Sequence, residues 1–177
     1  MTGLLALIGG VVGLIVGSFL NVVAYRVPRG LSVIRPRSAC PGCGHEIRSR
    51  DNIPLVSWIL LRGRCRDCGS GISVRYPLVE AGTAAAFALL AWQIGESWAL
   101  PGYWWAAGVA IALTLTDLDV KRIPDRILLP GALVTLALLT AGAFADGEPM
   151  AVVRALAGGA AYFALLLAVA LAARGGF

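Results

Sequence analysis

Five apolar stretches, parted by short polar ones, set the organisation of the chain. The first runs from Leu4 to Tyr25 with no charge before Arg26. The second runs from Tyr76 to Ile94, and the third begins at Pro101 and ends near Asp119. The fourth covers Ile127 to Phe144 and the fifth Met150 to Ala173. Each is long enough to cross a bilayer as a helix rising about 1.5 Å per residue. The pattern predicts an all-α polytopic membrane protein with about five transmembrane helices. Pro101 suits the first turn of a helix. Gly9, Gly10, Gly13 and Gly17 recur at helical spacing in the first stretch, which predicts close packing of that helix on a neighbour. Asn21, near its inner end, is placed to hydrogen-bond to that neighbour.

Between the first two stretches the character changes. Ten of the fifteen Lys and Arg residues lie from Arg26 to Arg75, among prolines and glycines. This segment predicts a small extramembrane domain of short strands and turns, too small to bury a large core and so in need of a staple. The expected division is a first transmembrane helix at 1–26, a cysteine domain at 27–76 and a membrane domain at 77–177.

Composition sharpens this picture. The chain is 58% hydrophobic and 14% charged, with a mean hydropathy of +0.79, which excludes an ordinary soluble domain. Most of the net charge of +5 sits in one segment, so no nucleic-acid partner is expected, and membrane lipids are the surroundings. An excess of arginine marks the cytoplasmic side. With the Arg-rich loop placed there, Lys121, Arg122, Arg126 and Arg174 fall on the same side, and Asp146 to Glu148 fall outside. Arg154 is the exception and is expected to snorkel. Trp92, Trp98, Tyr103 and Trp104 are expected to form an aromatic belt at the outer interface. The first stretch lacks a basic flank and is not read as a cleavable leader.

The four cysteines form Cys40-Pro-Gly-Cys43-Gly and Cys65-Arg-Asp-Cys68-Gly, with 21 residues between the pairs. Two residues between thiols let one tight turn aim both at a single ion, and the glycine after each pair permits a positive φ. A structural zinc site is expected at Cys40, Cys43, Cys65 and Cys68. The rival is a pair of disulfides or a redox pair, which a reducing cytoplasm disfavours. His45 is read as a surface loop residue.

Acidic residues gather where the third stretch ends, at Asp117, Asp119 and Asp125. An acid at the end of a membrane helix is costly unless it has a task or a partner. Asp117 and Lys121 are four apart with the acid first, so a salt bridge competes with a chemical role. Asp119 lies about 200° around the helix from Asp117 and cannot share its face. Asp125, after Pro124, is expected to cap the next helix. Glu80, one turn into the second stretch, is expected to pair with an interfacial arginine.

Gly17-Ser18-Phe19-Leu20-Asn21-Val22-Val23, the paired cysteines, Asp51-Asn52-Ile53-Pro54-Leu55-Val56-Ser57-Trp58, Gly63-Arg64-Cys65-Arg66 and Arg75-Tyr76-Pro77-Leu78-Val79-Glu80 resemble the N-terminal half of the type IV prepilin peptidases. Asp117-Leu118-Asp119 through Ile123-Pro124-Asp125 to Pro130 resembles their first aspartate motif. The resemblance implies a bacterial inner-membrane aspartic endopeptidase. Such an enzyme removes the leader from prepilins and pseudopilins after a glycine, at the cytoplasmic face. Many members also methylate the new N-terminus with S-adenosylmethionine. The family's first catalytic aspartate falls on Asp117. Its second lies in a later G-x-G-D motif, and no acidic residue follows Glu148 here. The expectation is therefore a C-terminally truncated prepilin peptidase, with an incomplete membrane domain and little or no proteolysis on its own. The alternative is a non-catalytic membrane scaffold whose zinc-binding domain serves a secretion or pilus system.

Overall fold

The computed structural model describes residues 1–173, so Arg174 lies outside the described residues. It contains helices α1 (Thr2–Arg26), α2 (Val56–Leu60), α3 (Arg75–Ile94), α4 (Leu100–Val120), α5 (Asp125–Ala145) and α6 (Pro149–Ala172), with 3-10 turns at Val27–Arg29 and Ser49–Asp51. The protein is an all-helical, multi-pass membrane protein. The five long helices coincide with the five apolar stretches, each end within two residues.

Four of them, α1, α3, α5 and α6, are long and apolar enough to cross a membrane. Helix α4 is as long as α5, at 21 residues. It opens on Pro101-Gly102-Tyr103-Trp104-Trp105 and closes on Asp117 and Asp119, so its longest aliphatic run is confined to the middle. It packs against α1, α3 and α5.

The glycines of α1 explain the tightest contact. A Cβ at Gly9 would stand 2.9 Å from the Phe87 carbonyl oxygen, one at Gly13 2.6 Å from the Ala84 Cα, and one at Gly17 2.8 Å from the Glu80 Cα. As the α1 number rises the α3 number falls, so the pair is antiparallel and its backbones nearly touch. Small residues permit that approach, and dispersion supplies the attraction where lipid removes the hydrophobic drive. The Asn21 amide donates to the Gly17 carbonyl at 3.2 Å and reaches the Tyr76 carbonyl of α3 at 3.5 Å, as the sequence reading expected.

Phe87 and Trp104 stack with centroids 5.6 Å apart, and the Trp104 indole donates to the Phe87 carbonyl at 3.0 Å. Trp104 is therefore half-buried against α3, whereas Trp92 and Trp98 are exposed. Gly102 meets Leu139 and Gly131 meets Val109, so α4 and α5 are also antiparallel. It follows that the C-terminal ends of α1 and α4 and the N-terminal ends of α3 and α5 share one end of the bundle. Helix α6 contributes no buried residue. Arg154 is exposed and lies 3.8 Å from Glu148.

The segment between α1 and α3 differs from expectation. Its pairing is reduced to two isolated bridges, Ala39 with Glu46 and Arg64 with Gly71. The short helix α2 supplies the rest of its regular structure. Strands are unnecessary because side chains and sulfurs hold the two hairpin turns together.

Candidate functional site

Each cysteine pair sits on a tight turn. The Gly44 N–H donates to the Cys40 carbonyl and the Gly69 N–H to that of Cys65, at 2.8 and 2.9 Å. Gly44 and Gly69 adopt φ of +72° and +73°, which an L side chain resists. The turns point all four thiols inward, and their sulfurs lie within 4.8 Å of one another. Cys40 and Cys68, from opposite pairs, are 3.8 Å apart. Four sulfurs at about 2.3 Å from one tetrahedral ion would stand about 3.8 Å from each other. All four cysteines are free, so the expected four-thiol cluster is present and could hold a metal ion.

Polar neighbours favour thiolates on one side of the cluster. The Ser70 hydroxyl lies 3.3 Å from Cys40 Sγ and 3.1 Å from Cys68 Sγ, so one side chain bridges the two pairs. That hydroxyl, with the Cys43 and Gly42 backbone N–H groups, holds the Cys40 thiol down at about 6. Ser70 lowers Cys68 as well. The His45 backbone N–H favours the Cys43 thiolate, but desolvation and the three neighbouring sulfurs push it up to about 12. Four thiolates cannot gather without a cation among them, and a bound cation supplies what the last one lacks. Ser70 escaped the sequence reading because a serine two residues past a cysteine carries no pattern of its own.

Ion pairs complete the staple. Arg66 grips Asp51 through Nε and Nη2 at 2.7–3.0 Å, which holds the Asp51 carboxyl below its usual range. Arg48 meets Asp67 at 3.0 Å and so ties the first turn to the second. His45 is exposed and lies 3.7 Å from Asp67, away from the sulfurs. The Trp58 indole of α2 donates to the Ile72 carbonyl at 3.1 Å and closes the segment.

The acidic group lies apart from the cysteines, on the end of the bundle to which the cysteine segment connects. Asp117 is exposed, in the last turn of α4. Among the described residues its carboxylate has no hydrogen-bond or ion-pair partner. The competing salt bridge does not form: Lys121 turns to φ +51° as the helix ends, and only its backbone N–H reaches back, to the Asp117 carbonyl at 2.8 Å. Asp119 takes the partner instead. Arg75, the first residue of α3, grips it with both terminal guanidinium nitrogens at 2.5 and 2.8 Å. The two aspartates thus diverge as the helical angle between them requires. Asp125 is corrected: Pro124 stands at the cap position, and Asp125 begins α5 without a side-chain capping bond.

Asp117 continues the face of α4 that carries Val109, Ala110 and Leu113, one turn beyond Leu113. Those residues face Leu128, Ala132 and Leu136 of α5 across an apolar groove of about 350 Å³.

Glu80 is the other correction. No arginine meets it, because Arg75 is engaged by Asp119. The carboxylate is buried, and its Oε2 accepts the Leu55 backbone N–H at 2.8 Å.

The family model for the bacterial peptidase A24 N-terminal domain matches residues 11–94. A prepilin leader peptidase/N-methyltransferase of Neisseria gonorrhoeae is 40% identical over 156 residues, which is 75% of this chain and 54% of the relative. The Myxococcus xanthus protein of that name is 47% identical over 128 residues, 72% of this chain and 38% of the relative. A type 4 prepilin-like proteins leader peptide-processing enzyme of Escherichia coli is 47% identical over 132 residues, 64% of this chain and 49% of the relative. The chain spans about half the length of the curated relatives it matches. No solved structure matches.

Proposed function

The chain belongs to the bacterial prepilin leader peptidase family, and on that premise we propose that it carries the first half of an aspartic endopeptidase acting on prepilins and pseudopilins. Asp117 is one carboxylate of the catalytic pair. The observation that carries this reading is the contrast within one helical turn: Asp119 is locked by Arg75, while Asp117, in the family's first aspartate motif, is exposed and unpartnered among the described residues. A carboxylate free to exchange a proton suits general acid–base work, and one held in a bidentate ion pair does not.

The partner carboxylate belongs to the family's G-x-G-D motif, which none of these 177 residues supplies. Two carboxylates sharing a proton act as base toward water and acid toward the leaving amine. The apolar groove between α4 and α5 lies on the face of α4 that Asp117 continues one turn beyond Leu113. An apolar segment of the substrate lying in it would present its end to the carboxylate, and cleavage follows a glycine there.

We further propose that Cys40, Cys43, Cys65 and Cys68 hold a structural zinc ion. Four protein ligands close the coordination sphere, so the ion would staple residues 27–76 and would not activate water. The helix at 1–26, this cysteine domain and a peptidase domain from residue 77 are the working division. The cysteine domain and Asp117 face the cytoplasm across the inner membrane, in keeping with the arginine bias. The relatives' names add N-methyl transfer, and the family resemblance makes S-adenosylmethionine the donor for that second reaction.

Two experiments test the reading. Reporters fused after Arg48 and Arg122 should read cytoplasmic and one at Gly147 external; the reverse would overturn the orientation. The chain joined to the C-terminal part of the Neisseria relative should cleave a prepilin after its glycine. A joined protein that inserts, binds zinc and leaves prepilin intact would favour the scaffold reading.

A further inference from the structure

We propose that Glu80 is a positioning residue that docks the cysteine domain onto the membrane bundle by holding a strained turn at Leu55. Nothing in the peptidase reading requires this, and the inference rests on the geometry of α2 and α3 alone.

The turn itself is unusual. Leu55 has φ +60° and ψ −51°, and the Val56 N–H donates across it to the Pro54 carbonyl at 2.6 Å. This is the γ-turn of positive φ, rare because a side chain crowds the backbone there. Glycine would adopt it without strain, yet the residue is leucine. Such a conformation persists only where its surroundings over-determine it.

The surroundings do so from two sides. Within the domain, the buried Ser57 donates to the Arg50 carbonyl at 2.9 Å and accepts the Ile53 N–H at 3.0 Å. From the bundle comes Glu80. Its Oε2 takes the Leu55 N–H at 2.8 Å, the donor that the strained turn leaves without a backbone acceptor. A buried carboxylate in a membrane helix is costly, and this bond offsets part of that cost. Glu80 cannot move aside, because its Cα lies against Gly17 of α1 in the closest part of the helix pair.

The contact has a reach in both directions. Outward, Leu55 stands at the N-cap of α2, whose Trp58 closes on Ile72, and Asp51, four residues earlier, is gripped by Arg66 between the second cysteine pair. Inward, Glu80 stands five residues after Arg75, which grips Asp119 at the end of α4. The first turns of α3 therefore hold the cysteine domain with one side chain and the end of α4 that carries Asp117 with another. Glu80 fixes the first of these relative to the second.

Hydrogen exchange of the metal-loaded 177-residue chain in detergent, with zinc content measured in parallel, tests this. Glu80→Ala should speed exchange across Leu55 to Leu60 by about tenfold or more, the scale of one lost hydrogen bond to a charged group, and leave zinc stoichiometry unchanged. Glu80→Gln keeps an acceptor of the same shape and should stay near wild type. Leu55→Gly removes the strain that Glu80 offsets, so adding it to Glu80→Ala should restore most of the protection. Unchanged exchange in Glu80→Ala would overturn the proposal. So would Glu80→Gln behaving like Glu80→Ala, because the carboxylate would then act by charge and not as an acceptor. Should Glu80→Ala fail to accumulate, recovery of folded protein by added Leu55→Gly would support the proposal and failure to recover would overturn it.

Discussion

The α1–α3 pair and the cysteine domain join at Glu80, yet they are held by opposite means. In the helix pair the side chains withdraw: Gly9, Gly13 and Gly17 let backbone meet backbone, and a single added carbon would collide. In the cysteine domain the backbone scarcely pairs, and side chains do the joining through four sulfurs, Arg66 with Asp51, Arg48 with Asp67, and Ser70 between two thiols. The first region is surrounded by lipid, where burial of apolar surface gives little advantage and fit decides. The second has too few residues to bury a core, so directional bonds decide. The lesson is that each region should fail on its own, by a change that the other tolerates.

The largest effect should come from Cys65→Ser or from chelation. The domain has little else to fold around, so residues 27–74 should lose protease protection while the helices stay inserted. Limited trypsin digestion in membranes reads both. Loss of the helices as well would show the regions to be one unit. Next, Gly13→Leu should part α1 from α3, since its side chain would meet the Ala84 backbone. Stability should fall by about 1–3 kcal/mol, the range of overpacked close contacts, while metal content stays near one ion per chain. A drop in metal content equal to that of Cys65→Ser would break the comparison.

A smaller and more local effect belongs to Ser70→Ala. It removes the hydroxyl shared by Cys40 and Cys68 and should weaken metal affinity by about 10–100-fold, as loss of a ligand's hydrogen-bond partner does. Competition with a coloured chelator measures it, and an unchanged affinity would reduce Ser70 to a spacer. The smallest effect concerns Asp146 at the far end of the bundle. It accepts the Ser97 hydroxyl at 2.6 Å and the Trp98 N–H at 3.0 Å, and these hold its carboxyl below the usual value. A depressed folded pKa means a contribution present above the unfolded value of about 3.9 and lost as pH falls through the folded one. Melting temperature should hold from pH 7 to 5 and decline in stronger acid, and Asp146→Asn should flatten that part of the decline.

Local patterns revealed some of this and distance hid the rest. The five long helices were legible because lipid enforces an uninterrupted apolar run, and the cysteine turns because two residues and a glycine leave few conformations. The divergence of Asp117 and Asp119 followed from helix geometry alone. Helix α2 was missed because its five residues are too few for a period to show. The strands expected around it reduced to single bridges. The partners of Glu80, Trp104 and Asp119 lie 25, 17 and 44 residues away in sequence. No local period encodes such pairs. Residue type suggested an interface for Trp104 and gave no sign of its stacking on Phe87, which sits on another helix.

The claim that matters most is the division of labour between Asp117 and Asp119, and prepilin cleavage by matched variants tests it most directly. In the chain extended by the C-terminal part of a relative, Asp117→Asn should lower cleavage by several powers of ten with zinc content unchanged. Asp119→Asn, which loosens the grip of Arg75 but leaves the acid–base carboxylate in place, should retain far more. Near-normal cleavage by Asp117→Asn, or an equal collapse in both variants, would contradict the assignment.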